Sequence, residues 1–350
     1  MAHVFTKRNH YNPCFWTSLW NTEYFEAWAR TGKPEAEPRE QLVFALSLRS
    51  ERIYRTKVSK LFYEKNLGVA KITPESMKTF CQRWHPQEYE RLCAFLAENP
   101  ETIYLDFEQI LAAIERLDTY SWLLKAAKVG GIESAEHKGF LLCTLIIHAM
   151  RSHELMASML ESTSVIGIEK WEYFWLLKNA WADGLFLERA VTPLAMGRWT
   201  FYRSAEHRFP LCDSPIMIGR NGLMAVLSPR LLLEIDLTVR VPKPESQWIV
   251  RDEISPSKYR EFRRRAIRNA FRDIIFHDPG VLEEWRSAPD CRQRMRQLSH
   301  PVHSRQCMHE AATRVVWGVN GFGRVRDGFV MRAREHVVDD KELSGQENFA

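Results

Sequence analysis

The stretch FPLCDSPIMIG (209–219) puts a carboxylate, Asp213, and a hydroxyl, Ser214, between two short apolar runs. A carboxylate at a sheet edge can fix the tautomer of an imidazole and raise its basicity, which makes a general base near neutral pH. The same group can instead accept backbone N–H bonds in an Asx-turn, with Pro215 stopping a strand. A histidine able to partner it, His10, stands in KRNHYNP near the start of the chain. An arginine, Arg151, follows the most apolar stretch, GFLLCTLIIHAM (139–150), and His148 lies three residues before it on the same helical face. A guanidinium on the buried side of a helix keeps its charge and therefore needs an anion. Asp213, Glu154 or a substrate phosphate or carboxylate would each serve. His148 alone, in an apolar run, has the pattern of a satisfied core histidine.

A second pattern is a row of cations. Arg260, Arg264, Arg268 and Arg272 recur every four residues and so share one helical face. Tyr259, Phe262, Ala266, Ala270 and Ile274 make another face suited to the core. Neighbours in the row repel by a few tenths of a kcal/mol, and about 6 Å of rise per step lets them follow a phosphate backbone. The alternative is a solvated face offset by acidic residues elsewhere. Cys291, His300, His303, Cys307 and His309 crowd one polar segment, but no C-x-x-C anchors it, and no metal or cofactor is assigned. His277-Asp278-Pro279 reads as a helix stop, and Ser228-Pro229 lacks the setting of a nucleophilic serine.

The elements that must position these groups follow from periodicity. Residues 1–70 read as an extended N-terminal segment, with a Pro-rich loop at 31–40 and short strands in 51–63. Thr73-Pro74-Glu75 opens a helix that breaks at His85-Pro86 and ends at Asn99-Pro100. Asp106 is placed to cap the next helix, and further helices are expected over 133–161 and 169–181. After Gly184 the period shortens, and 184–241 reads as an antiparallel meander with an Asn221-Gly222 hairpin turn. Helices return at 256–276 and 280–298. The fold class is α+β, helix-rich with a central antiparallel β-meander, in a single composite domain (1–335) with a polar tail (336–350).

The chain's 350 residues are 45% hydrophobic, which excludes a disordered chain, and the net charge of +5 is too small for a dedicated nucleic-acid coat. Seven irregularly spaced cysteines without a C-x-x-C read as free thiols. No signal-peptide core or membrane-length apolar run is found, so a cytoplasmic protein without a membrane partner is expected.

Taken in order, KRNHYNPCFW, IIHAMRS, and FPLCDSPIMIG with VLSPRLLLEID resemble a large bacterial family catalogued as domain of unknown function 4238. The resemblance covers roughly residues 5 to 280. Its turn motif reads Ser-Asp-Asn-Pro where this chain has Cys212-Asp213-Ser214-Pro215, and it has an asparagine early in the post-sheet helix that is missing here. The resemblance implies that His10, Arg151, Asp213 and Ser214 cluster, and implies no activity. An enzyme built from them would be a hydrolase or transferase acting on a phosphate ester or nucleic acid. His10 would be its base, Asp213 would orient His10 or ligate a metal, and Arg151 would clamp negative charge. The alternative is a non-catalytic module that binds nucleic acid, another anionic ligand or a protein, with the polar cluster as a structural brace.

Overall fold

The computed structural model describes residues 9–10, 12–32, 34–64, 69–106, 119–150, 169–172, 191–206, 208–219, 221–239, 248–300, 303–304 and 306. Arg151, Cys307 and His309 lie outside them, as does the side chain of His10. The fold is α+β, and its strands form two main sheets.

The first sheet has the order β3-β2-β13-β8 and is antiparallel throughout. It is built from β2 (Leu42–Ser47), β3 (Ile53–Lys57), β8 (Leu211–Cys212) and β13 (Asp273–Phe276). The second has the order β12-β7-β11-β10-β9, from β7 (Arg198–Arg203), β9 (Ile216–Gly219), β10 (Gly222–Ser228), β11 (Leu231–Asp236) and β12 (Trp248–Arg251). Only β12 joins in parallel, against β7. The run expected as one meander is thus divided between sheets. β8 ends at Cys212 in one, β9 begins at Ile216 in the other, and Asp213-Ser214-Pro215 carries the chain across. Two short pairs complete the strands: β1 (Asn9–His10) with β4 (Tyr63–Glu64), and β5 (Val69–Ile72) with β6 (Ile103–Asp106).

Gly219 faces Gly222 across the β9–β10 hairpin, so Gly222 opens β10 and is not a central turn residue as the Asn-Gly pattern suggests. Its φ is +138°, and a Cβ there would fall 1.8 Å from the Ile235 carbonyl oxygen, which leaves room for glycine alone.

Helices surround the sheets. The N-terminal segment is less extended than expected, since it contains α1 (Cys14–Thr17) and α2 (Thr22–Thr31). The Asn21 side chain accepts from the Tyr24 amide at the start of α2, and Gly32 ends it in the left-handed region. Thr73 and Ser76 form a reciprocal cap on α3 (Pro74–Trp84), and Pro86 forces the break before α4 (Tyr89–Glu98). Asp106 closes strand β6; the residues it was expected to cap lie outside those described. An antiparallel pair, α5 (Thr119–Val129) and α6 (Ala135–Met150), follows.

Ser255 and Pro256 start α7 (Pro256–Asn269), which stops where Ala270 turns extended. The expected helix over 256–276 is therefore cut short, and Asp273–Phe276 becomes the fully buried strand β13 at the centre of the first sheet. Asp278 caps α8 (Pro279–Ser287), and α9 (Pro289–Ser299) follows after Ala288. Trp16, Trp20, Trp199 and Trp285 are fully buried in one continuous core. Among the described residues no helix is long and apolar enough to cross a membrane.

Candidate functional site

Asp213 is fully buried at the crossing between sheets. Its carboxylate accepts from the Phe271 amide (3.0 and 3.1 Å to the two oxygens) and from the Arg272 amide (2.7 Å). These amides are free to donate because α7 has just ended and β13 has not yet begun, so neither helix nor sheet claims them. The thiol of Cys212 donates to the Ser214 carbonyl (3.1 Å), which tightens the turn. Ser214 is itself buried.

The N-terminal segment reaches the same turn, through Asn12. Its Nδ2 donates to the carbonyls of Cys212 and Asp213, both at 3.3 Å. With the amide nitrogen committed to acceptors, Oδ1 must face the other way, where it meets Nε2 of His148 at 2.9 Å. Nε2 must therefore carry a proton. In the neutral ring, Nδ1 is then an acceptor, and the Tyr120 hydroxyl donates to it at 2.9 Å. Helix α5 supplies Tyr120, α6 supplies His148, and the Trp16 ring lies edge-on to the imidazole at 4.8 Å. Asn12, Tyr120 and His148 are all nearly inaccessible to solvent. A chain of hydrogen bonds thus ties four regions together: α5, α6, the N-terminal segment and the sheet crossing.

The sequence-predicted site residues divide here. His10 is described by its backbone, paired with Tyr63, and Arg151 lies outside the described residues. The N-terminal segment touches the turn through Asn12, at the carbonyls of Cys212 and Asp213, and not through a described contact of His10. Asn12 and Tyr120 were missed. The available signal for Asn12 was a polar residue between Tyr11 and a helix-opening proline; Tyr120 gave none.

The arginine row is at the surface. Helix α7 buries Phe262, Ala266 and Ile267 and exposes Arg260, Arg264 and Arg268. Arg272 does not belong to the row. The helix ends three residues before it, and its guanidinium turns inward to donate to the Tyr63 carbonyl at 3.0 Å. The other basic residues of α7 are neutralised. Lys258 bridges Glu234 and Glu261 (both 2.8 Å), Arg265 pairs with Glu261 (2.6 Å), and Arg263 lies 3.8 Å from both Glu284 and Asp290. Burial opposes ionisation of Glu261, but Lys258 and Arg265 outweigh it and hold the carboxyl below its usual range. Among the described residues Arg260, Arg264 and Arg268 have no carboxylate within ion-pair distance.

Of the Cys/His segment, Cys291 is fully buried and its thiol is pushed up to about 12, chiefly by burial. The rings of His300 and His303 lie 4.7 Å apart. Among the described residues no cluster of three or more His, Cys, Asp or Glu has the geometry to hold a metal ion. Comparison of the chain with protein families, with curated proteins and with solved structures finds no match.

Proposed function

We propose that this protein is a non-catalytic module that binds a polyanion, with nucleic acid the best candidate, through the exposed arginines of α7, and that the Asp213 cluster is a structural brace. The observation that supports the reading is selective neutralisation. Every other basic residue of α7 up to its C-terminus has a carboxylate nearby, whereas Arg260, Arg264 and Arg268 face solvent with none among the described residues. Their spacing spans about 12 Å of helix, and such a row can track successive phosphates. The rival reading, a hydrolase or transferase for a phosphate ester, requires Asp213 to reach a substrate or a base. Its zero exposure and its bonds to the Phe271 and Arg272 amides favour the brace.

The test is nucleic-acid binding followed by fluorescence anisotropy against salt. Three phosphate contacts give a slope of log K on log salt of about −2.7 or steeper, a loss of roughly 40-fold or more between about 50 and 200 mM. Charge reversal in Arg264→Glu/Arg268→Glu should abolish the binding while leaving the melting temperature in place. Unchanged affinity in that variant would sink the reading.

A further inference from the structure

Helix α9 lies beside α7 and runs in the same direction. Arg263 of α7 faces Asp290 at 3.8 Å, and further along Arg294 of α9 donates through Nε to the carbonyl of Ala270, just past the end of α7, at 3.0 Å. Both contacts advance together along the two chains, which fixes the parallel register. Both helices sit on one core. α7 buries Phe262, Ala266 and Ile267, and α9 buries Cys291, Arg294, Met295 and Leu298 at i, i+3, i+4 and i+7. With the buried faces on a common side and the seam between them fixed, their exposed faces look out together. On α9 that face carries Arg292 and Arg296, one turn apart. Neither has a carboxylate within ion-pair distance among the described residues.

From this juxtaposition we infer that α7 and α9 form one two-row cationic surface for the phosphate ridges of double-stranded nucleic acid, bound without regard to base sequence. The inference rests on the polyanion-binding reading and adds α9 and the ligand class to it. A single row would suffice for one strand. Two rows on packed helices can contact phosphates of both strands of a duplex at once. Surfaces for unpaired strands add aromatic rings on which bases stack. The exposed positions of α7 and α9 hold arginine, serine, proline and Gln293 and include no aromatic ring, because Tyr259 and Phe262 turn toward Trp285 in the core. Base-reading amides and carboxylates are likewise nearly missing from this face, which leaves the backbone as the recognised feature.

The experiment measures anisotropy of the full chain with three probes: a mixed-sequence duplex of about 20 base pairs, oligo-dT of equal length, and polyglutamate as an acidic-protein mimic. The inference expects the duplex to bind at least about tenfold more tightly than oligo-dT at the same salt. Five contacts give a slope of about −4.5, a loss of roughly 500-fold between about 50 and 200 mM salt. The neutral variant Arg292→Gln/Arg296→Gln should bring the slope to about −2.7, and Arg292→Glu/Arg296→Glu should weaken binding further. The inference is overturned if both α9 variants bind as the parent does, if oligo-dT equals the duplex, or if polyglutamate competes as well as the duplex. In the first two cases, loss of binding in Arg264→Glu/Arg268→Glu still sustains the α7 reading. If that variant also binds normally, both readings fall together.

Discussion

Removing the Asp213 carboxylate separates a brace from a reactive group. In Asp213→Ala the amides of Phe271 and Arg272 lose their acceptor at a site with no solvent exposure. A buried donor without a partner costs about 1–3 kcal/mol, so two cost about 2–6 kcal/mol. Relief from keeping an anion out of water offsets part of this. A net loss of about 3 kcal/mol is expected, a large share of the roughly 5–15 kcal/mol that stabilises a typical domain. Asp213→Asn keeps one acceptor oxygen but turns an NH2 toward a donor, so it should lie between the parent and Asp213→Ala. Equilibrium urea unfolding with linear extrapolation gives the difference, and an unchanged m-value would show that the native state alone is affected. A loss under about 1 kcal/mol for Asp213→Ala would refute the brace. So would folded Asp213→Asn with nucleic-acid affinity reduced several-fold, because the arginine face should not sense a change in the core.

The hydrogen bond between Asn12 and His148 should couple energetically: Asn12→Ala and His148→Phe, each costing about 1–3 kcal/mol, should show a double-mutant interaction of at least about 1 kcal/mol by urea unfolding, and simple additivity would contradict the geometry. Buried His137 donates through Nε2 to the Trp122 carbonyl, and burial holds its pKa below the usual 6.5. The unfolded chain therefore takes the proton first. Stability is full above about pH 6.5 and falls below it by up to about 1.4 kcal/mol per pH unit, a slope that His137→Gln should flatten in pH-dependent melts. Lys138 is 3% exposed, and burial lowers its pKa to about 8, so the charge it gains as pH falls through 10.5 toward 8 is a cost to the fold. Contact with the Trp199 ring at 5.0 Å returns part of that cost, and Lys138→Met should gain about 1–3 kcal/mol at pH 7 and little above pH 10.5. Equal stability of parent and variant at both pH values would count against this account.

Much of the architecture was legible because it rests on local chemistry. Thr73-Pro74 and His85-Pro86 mark helix boundaries by capping and by the missing proline N–H, and these act whatever the rest of the chain does. Helix α7 was overextended for a related reason. Its apolar period continues through Ala270 and Ile274, and only pairing with β2 and β8 makes Asp273–Phe276 a strand. Such pairing partners lie far away in the chain and leave no local mark. The crossing at Asp213 was half legible. The sequence showed a charged interruption between strands, but that those strands belong to different sheets depends on long-range partners. Asn12 was overlooked beside His10 because chemistry favours a titratable ring over an amide, whereas a buried turn with two open carbonyls needs a donor. The arginine row was read from spacing alone; its neutralised flanks and second helix required the packed molecule.

The indole N–H of Trp16 donates to the carbonyl of Leu227, and that of Trp20 to the carbonyl of Phe209, across 211 and 189 residues of chain. Translation fixes the order in which these partners come into being. At about 5–20 residues per second, the two tryptophans leave the ribosome roughly 10–40 s before the strands that receive them exist. Their segment has no complete partner surface during that interval, since β2, made next, also waits for β13. Until residue 227 has been made, the indole N–H of Trp16 lacks the acceptor it has in the folded protein, and until residue 209 has been made that of Trp20 lacks its own.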